Sequence, residues 1–237
     1  MNAKNQKGQF SRRNLLKFGA GVVGTGVVTA GLGSKLVFPD RAVAKDDMTP
    51  EQAVKSLMEG NQRFVNGKRE NPHQNMARLA EIAKTQKPFA AILSCADSRV
   101  PSEIIFDQGF GDLFVCRVAG NIATPEEIGS LEFGSLVLGA KVIMVLGHER
   151  CGAVDATIKG AQVPGQIASL LDAIKPAIKD SESQTGDRLE NAVKANVLYQ
   201  IEKLKTSSVI SELIQQKKLT VAGGYYDLDT GAVTRVS

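Results

Sequence analysis

The sequence predicts an α/β fold, a mainly parallel central β-sheet flanked by helices. Three observations predict it. Four short apolar runs, Phe89–Cys95, Leu113–Val118, Lys141–Gly147 and Leu219–Tyr226, read as strands covered on both faces, because their apolar character is nearly continuous and most are rich in β-branched residues. The stretches between the first three are long enough for helical crossovers, as in Pro125–Leu138. Finally, Asp229-Thr230-Gly231 is a turn signal, so Ala232–Val236 folds back as an antiparallel edge strand beside the four parallel ones.

The remaining elements follow in chain order. Thr49-Pro50-Glu51 starts a helix, with Thr as cap and Pro at the first helical position. Val54, Leu57, Met58, Asn61, Phe64 and Val65 continue it at helical spacing, and Gly67 ends it. A second helix is expected over Met76–Thr85. Glu190–Lys205 and Val209–Lys217 read as helices that lead into the fourth strand.

The chain has 237 residues with a formal net charge of +4. That charge is unevenly placed. Residues 1–44 hold seven Lys/Arg and one Asp, a net of +6, and the rest holds 22 Lys/Arg against 24 Asp/Glu, a net of −2. The globular part is therefore close to neutral and lacks the basic stripe a nucleic-acid partner requires. The first segment reads as an address. Ser11-Arg12-Arg13-Asn14-Leu15-Leu16-Lys17 precedes an uncharged, glycine-rich stretch from Phe18 to Ser34, which resembles a twin-arginine export signal. Ala42-Val43-Ala44 is an A-x-A cleavage site in the expected place. The alternative is an uncleaved anchor, although the stretch is short for a membrane span. The expectation is a signal peptide over residues 1–44, one domain over residues 45–237, and a soluble mature form exported to a periplasm or thylakoid lumen by the twin-arginine machinery.

The chemistry gathers at strand ends, where ligands of open α/β sheets collect. The first strand ends in Cys95-Ala96-Asp97-Ser98-Arg99 and the third in Gly147-His148-Glu149-Arg150-Cys151-Gly152. Two thiolates and an imidazole form a zinc donor set that leaves a fourth position free. His148 and Cys151 are three residues apart, so one turn of backbone can aim both at one metal, with Cys95 arriving from the neighbouring strand. A Cys95–Cys151 disulfide is the competing reading of the same spacing in an exported protein. Asp97-x-Arg99 reads either as a catalytic carboxylate held by guanidinium or as a structural salt bridge.

The two motifs, with Phe114-Val115-Cys116-Arg117-Val118-Ala119-Gly120-Asn121 and Gly223-Gly224-Tyr225-Tyr226, resemble the β-class carbonic anhydrases over nearly all of residues 49–237. The resemblance implies zinc held by Cys95, His148 and Cys151, with Asp97 and Arg99 as the catalytic pair. It implies reversible hydration of carbon dioxide to bicarbonate and a proton, by attack of zinc-bound hydroxide. It also implies a dimeric fold, a homodimer or higher even oligomer, with N-terminal helices wrapping the partner. Gln86, nine residues before Cys95, matches an amide that binds substrate in the plant-like, open-site branch. Phe114 and Gly152 match pocket positions of that branch, and the partner subunit would supply Gln86 and Phe114. Ile92 stands where the bicarbonate-inhibited branch tends to carry Trp.

Glu149 departs from the family pattern, which often has a small hydroxyl residue there. Cys116 reads as a small apolar residue, and His73 as a surface histidine without a role or a proton shuttle. Two further functions share these motifs. One is hydrolysis of carbonyl sulfide or carbon disulfide, and the other is a non-catalytic zinc or interaction protein. The intact Asp97–Arg99 pair counts against the second.

Overall fold

The computed structural model describes residues 48–237. The expected export signal, its cleavage site and the first residues after it lie outside the described residues. Among those described, no helix is long and apolar enough to cross a membrane.

Helix α1 spans Pro50–Val65 and begins as its sequence dictates. Thr49 Oγ1 accepts from the Gln52 backbone N–H at 3.2 Å, and Gln52 Oε1 accepts from the Thr49 N–H at 2.7 Å. This reciprocal capping box satisfies two amides that have no partner inside the helix. The short α2, Met76–Ile82, is capped by Asn75 and buries no side chain. It ends at Ile82, three residues before the expected Thr85.

Five strands form one sheet: β1 Ala90–Ser94, β2 Leu113–Arg117, β3 Val142–His148, β4 Thr220–Tyr226 and β5 Val233–Arg235. Their order is β2-β1-β3-β4-β5, and only the last pair is antiparallel. Every residue of β1 and β3 is buried, which is why those runs carry no polar alternation. Parallel register sets the site. Ser94 pairs with Leu146, so Cys95, the next residue, emerges beside His148 at the end of β3.

Both faces of the sheet are covered. On one, Ala53, Val54 and Leu57 of α1 pack with Ile105 and Phe106 against Ile92, Met144 and Leu146. Ile105 closes α3, Ser102–Ile105. On the other, α7 (Arg188–Lys205) and α8 (Ser208–Gln215) place Val197, Ile201, Leu204, Ile210 and Leu213 on Ala91, Leu93, Ile143 and Val145. Each fully buried Val, Leu, Ile, Met or Phe among them contributes roughly 1.5–3 kcal/mol. The approach of α7 is close. A Cβ on Gly147 would lie 2.7 Å from Val197 Cγ2 and 2.8 Å from Val193 Cγ1, so a side chain there would push the helix off the ligand-bearing strand.

The crossover expected over Pro125–Leu138 is two pieces: α4, Pro125–Glu132, and a π-helical turn over Phe133–Val137. Gly134 in that turn lies against the Phe114 ring of β2, which a Cβ there would meet at 2.9 Å. Besides α3, the structure adds two helices the sequence reading did not anticipate: α5, Gly152–Ile158, and α6, Ile167–Ser181. Helix α6 contains Pro176, ordinarily a breaker. Pro176 costs one backbone bond, to the carbonyl of the exposed Asp172, while Leu171, Ile174, Ala177 and Ile178 bury the opposite face.

Candidate metal centre

Cys95, His148 and Cys151 come together at the carboxyl edge of the sheet. One ligand atom from each lies within 4.8 Å of the others, and all three residues are buried. Each is placed by a different local device. Cys95 is the first residue beyond β1, and His148 is the last of β3. Arg150 takes a left-handed conformation, φ 52°, and Cys151 follows at the N-cap position of α5, its sulfur close to the His148 ring.

His148 is fully buried. Its Nδ1 lies 2.8 Å from the Glu149 carbonyl oxygen. A carbonyl only accepts, so Nδ1 carries the proton and Nε2 is left with a bare lone pair. That Nε2 has no hydrogen-bond partner among the described residues. A buried, orphaned nitrogen facing two sulfurs costs free energy unless something electrophilic satisfies it. Cys95 and Cys151 are free thiols, so the disulfide alternative is not the arrangement adopted.

The sulfurs differ in character. The Cys95 thiol is pulled down to about 4, chiefly by the Cys151 thiol and against the cost of burial, with help from His148 and the Gly120 N–H. Cys151 is pushed up by the Cys95 sulfur and by burial. The pair thus holds one negative charge readily, and a second only where a cation compensates it. Soft sulfur donors with one imidazole are the donor set that fits zinc.

Asp97 stands at the rim. Its Oδ1 accepts from Arg99 Nε and from the Arg99 backbone N–H, both at 2.9 Å, and its Oδ2 accepts from Arg99 Nη2 at 2.8 Å. Oδ2 is 3.8 Å from His148 Nε2. The Arg99 side chain is the main reason the Asp97 carboxyl sits well below the usual carboxylate range. Asp97 is therefore an ionised acceptor, 18% exposed, beside the donor cluster.

Several supporting roles were not assigned from the sequence, two of them at residues of the Phe114–Asn121 motif. Gly120 donates its N–H to Cys95 Sγ at 3.3 Å. It must be glycine, since its φ is +78° and a Cβ would lie 2.6 Å from Ile174 Cδ1. Asn196 Nδ2 donates to the Gly120 carbonyl at 2.9 Å, and Gln200 Nε2 donates to Asn196 Oδ1 at 3.0 Å. Gln200 Oε1 in turn accepts from the Ala123 N–H at 2.9 Å. Both amides are fully buried on α7. The available signal was a pair of polar residues four apart within an apolar helical face. Arg117, at the end of β2, donates to the carbonyls of Cys95 and Asp97.

Other expected site residues lie apart within one chain. Gln86 is exposed in the loop before β1, at the end of that strand opposite Cys95. Phe114 sits in β2, three residues before Arg117, and packs beside Phe133 at 6.4 Å between ring centres. Gly152 opens α5 next to Cys151, with no atom within 4 Å of where its Cβ would be. Cys116 is half-buried, and burial pushes its thiol up. His73 does have a role. Its Nδ1 is 2.8 Å from both Asp112 oxygens, before β2 and at the edge of the sheet far from the metal ligands.

A mainly parallel sheet that delivers Cys, His and Cys from two strand ends to one buried point, with a guanidinium-held carboxylate alongside, defines a metalloenzyme site of β-carbonic anhydrase form. The comparisons agree. The family described as carbonic anhydrase matches residues 90–233. Carbonic anhydrase 2 of Mycobacterium tuberculosis is 39% identical over 190 residues, covering 77% of this chain and 90% of that protein. A carbonic anhydrase of Mycolicibacterium smegmatis is 35% identical over 189 residues, covering 78% and 92%. Among solved structures, a tetrameric β-carbonic anhydrase of Sordaria macrospora has a TM-score of 0.63 at 25% identity, covering 77% of this chain and 95% of that one. A β-carbonic anhydrase of Aspergillus fumigatus has a TM-score of 0.61 at 26% identity, covering 77% and 89%. The chain belongs to the β-carbonic anhydrase family and is a carbonic anhydrase.

Proposed function

We propose that this enzyme interconverts carbon dioxide and bicarbonate with zinc held by Cys95, His148 and Cys151 in an open-site arrangement. The observation that carries the proposal is the bare, buried Nε2 of His148 set against two free cysteines. When bound, zinc supplies a Lewis acid that makes water a usable nucleophile near neutral pH. Three protein donors leave room for that water.

The chain's own residues do the rest. The Glu149 carbonyl fixes the His148 ring and its tautomer. The Gly120 N–H takes up part of the Cys95 charge. Asp97 is held ionised by Arg99, so it can only accept a hydrogen bond. A reacting water that donates one hydrogen to Asp97 keeps an oxygen lone pair turned towards the carbon of carbon dioxide. Both Asp97 oxygens are already engaged by Arg99, which favours Asp97 as an orienting acceptor over Asp97 as a fourth ligand. Gly152 leaves open space beside Cys151 for substrate. Gln86 and Phe114 are remote from the ligands of their own chain, so in this reading they complete the site of a second copy, where the Gln86 amide hydrogen-bonds substrate.

Metal analysis with stopped-flow hydration tests the proposal. The purified enzyme should carry about one zinc per chain. Cys95→Ala, His148→Ala and Cys151→Ala should each lose the metal and the activity together. Metal-free protein with a Cys95–Cys151 disulfide, or full zinc in a ligand variant, would overturn it.

A further inference from the structure

We infer that Glu149, tied to Arg150 and Asp229, is a positioning residue that holds the imidazole of His148 in place for the metal. The inference rests on the zinc reading above and adds residues that reading does not use. It starts from the Glu149 carbonyl, the acceptor that fixes the His148 ring. A carbonyl orients a ring only as firmly as its own peptide is held.

Glu149 is held at two further points. Its backbone N–H donates to the Tyr226 carbonyl at 2.8 Å, extending the β3–β4 pairing by one residue. Its side-chain Oε2 accepts from the Leu228 N–H at 3.0 Å. The side chain thus reaches across to the loop that leaves β4 and pins residue 149 from the far side. A short hydroxyl side chain at this position could not span that gap.

Arg150 adds a second tie. It occupies the left-handed region, φ 52°, a conformation a non-glycine residue adopts only at a cost in free energy. Its guanidinium grips Asp229 with two hydrogen bonds of 3.0 and 2.6 Å, and lies 3.1 Å from Glu149 Oε1. Asp229 belongs to the β4–β5 connection, whose Gly231 carbonyl is held by Asn61 of α1. The ligand loop 148–151 is therefore anchored to a separate part of the fold. Arg150 and Asp229 are about half and two-thirds exposed, where single ion pairs contribute little to stability. Their effect is expected in the geometry of the ligand loop.

Partners of this kind typically change metal affinity or activity by about 10–100-fold when removed. The test is a zinc-competition titration of the loaded enzyme with a graded chelator, read as the free-zinc concentration at half loss. The wild type is compared with Glu149→Ala, Glu149→Gln and Asp229→Ala, and each metal-free form is melted alongside. Glu149→Ala should shift half loss to about 10–100-fold higher free zinc. Glu149→Gln keeps an acceptor oxygen for the Leu228 N–H and should retain most of the affinity. Asp229→Ala leaves the ligand loop intact in sequence and should give a smaller shift in the same direction.

A merely structural staple would lower the melting temperature of metal-free Glu149→Ala and leave its zinc midpoint at the wild-type value, and that result would overturn the inference. So would equal zinc loss in the Ala and Gln variants. If Glu149→Ala does not fold, an unshifted midpoint in Asp229→Ala decides against the inference and a shifted one supports it. Wild-type enzyme that binds no zinc would instead bring down the metal reading itself.

Discussion

At the scale of single residues, Asp97 carries the sharpest expectation. Asp97→Asn keeps the shape of the side chain and exchanges one acceptor oxygen for an N–H donor. Asp97 is not one of the three clustered donors, so zinc content should stay close to the wild type. Hydration should fall by about 10²–10⁴-fold, the usual range for loss of a group that handles a proton or its acceptor. The pH dependence has a definite sign. Arg99 holds the folded-state pKa of Asp97 below its ordinary value, so the carboxylate charge is complete well below neutrality and is lost only in strong acid. The deficit should then be constant between about pH 6 and pH 9. Stopped-flow rates across that window, with metal content measured on the same samples, check it. A deficit that shrinks towards pH 6 would show that Asp97 titrates there and that Arg99 does not hold it ionised.

At the scale of elements, helix α7 links the core to the site. Asn196 and Gln200 sit in its buried face and fix the Gly120 loop, whose N–H reaches Cys95 Sγ. Asn196→Ala strands the Gly120 carbonyl and one Gln200 amide hydrogen in the core, at a cost of about 1–3 kcal/mol each when unpaired. Denaturant unfolding should show a loss of about 2–6 kcal/mol. Glu202→Ala on the exposed face of the same helix gives up only an ion pair to Lys205, worth about 0.2–0.5 kcal/mol. Equal losses in the two variants would mean that the relay contributes nothing. The strands and the two ligand motifs were legible because their signals are local: apolar runs of strand length, and chemistry-bearing residues packed into a few positions. Three kinds of feature were not. Helix α6 was hidden by Pro176, because the burial that outweighs its missing hydrogen bond comes from Cys95, Ile122 and Val154, distant in sequence. The Asn196–Gln200 relay needs the β2–α4 loop beside it before its purpose can be read. His73 looked idle because its partner Asp112 lies 39 residues away.

At the scale of the whole molecule, the sheet is finished on one side only. The β5 edge is three residues long and antiparallel, a short strand of the kind that limits further pairing. The β2 edge is different. It is five residues long, its Leu113, Phe114, Val115 and Cys116 are only partly buried, and it carries no charge before Arg117. Phe110, just before β2, and Phe133, packed beside Phe114, are both more than 40% exposed. A half-exposed apolar edge of this kind invites association unless another chain covers it. The proposed roles of Gln86 and Phe114 require the same association, since both lie away from the ligands of their own chain. A second copy is therefore expected to cover this side, burying on the order of 1,600 Å² or more. Light scattering should give at least twice the mass of one chain. Dilution of the zinc-loaded enzyme should abolish hydration as the dimer dissociates, with the ligands still metallated. A monomer retaining full hydration activity would refute both the shared site and the roles given to Gln86 and Phe114, while leaving the Cys95, His148 and Cys151 assignment intact.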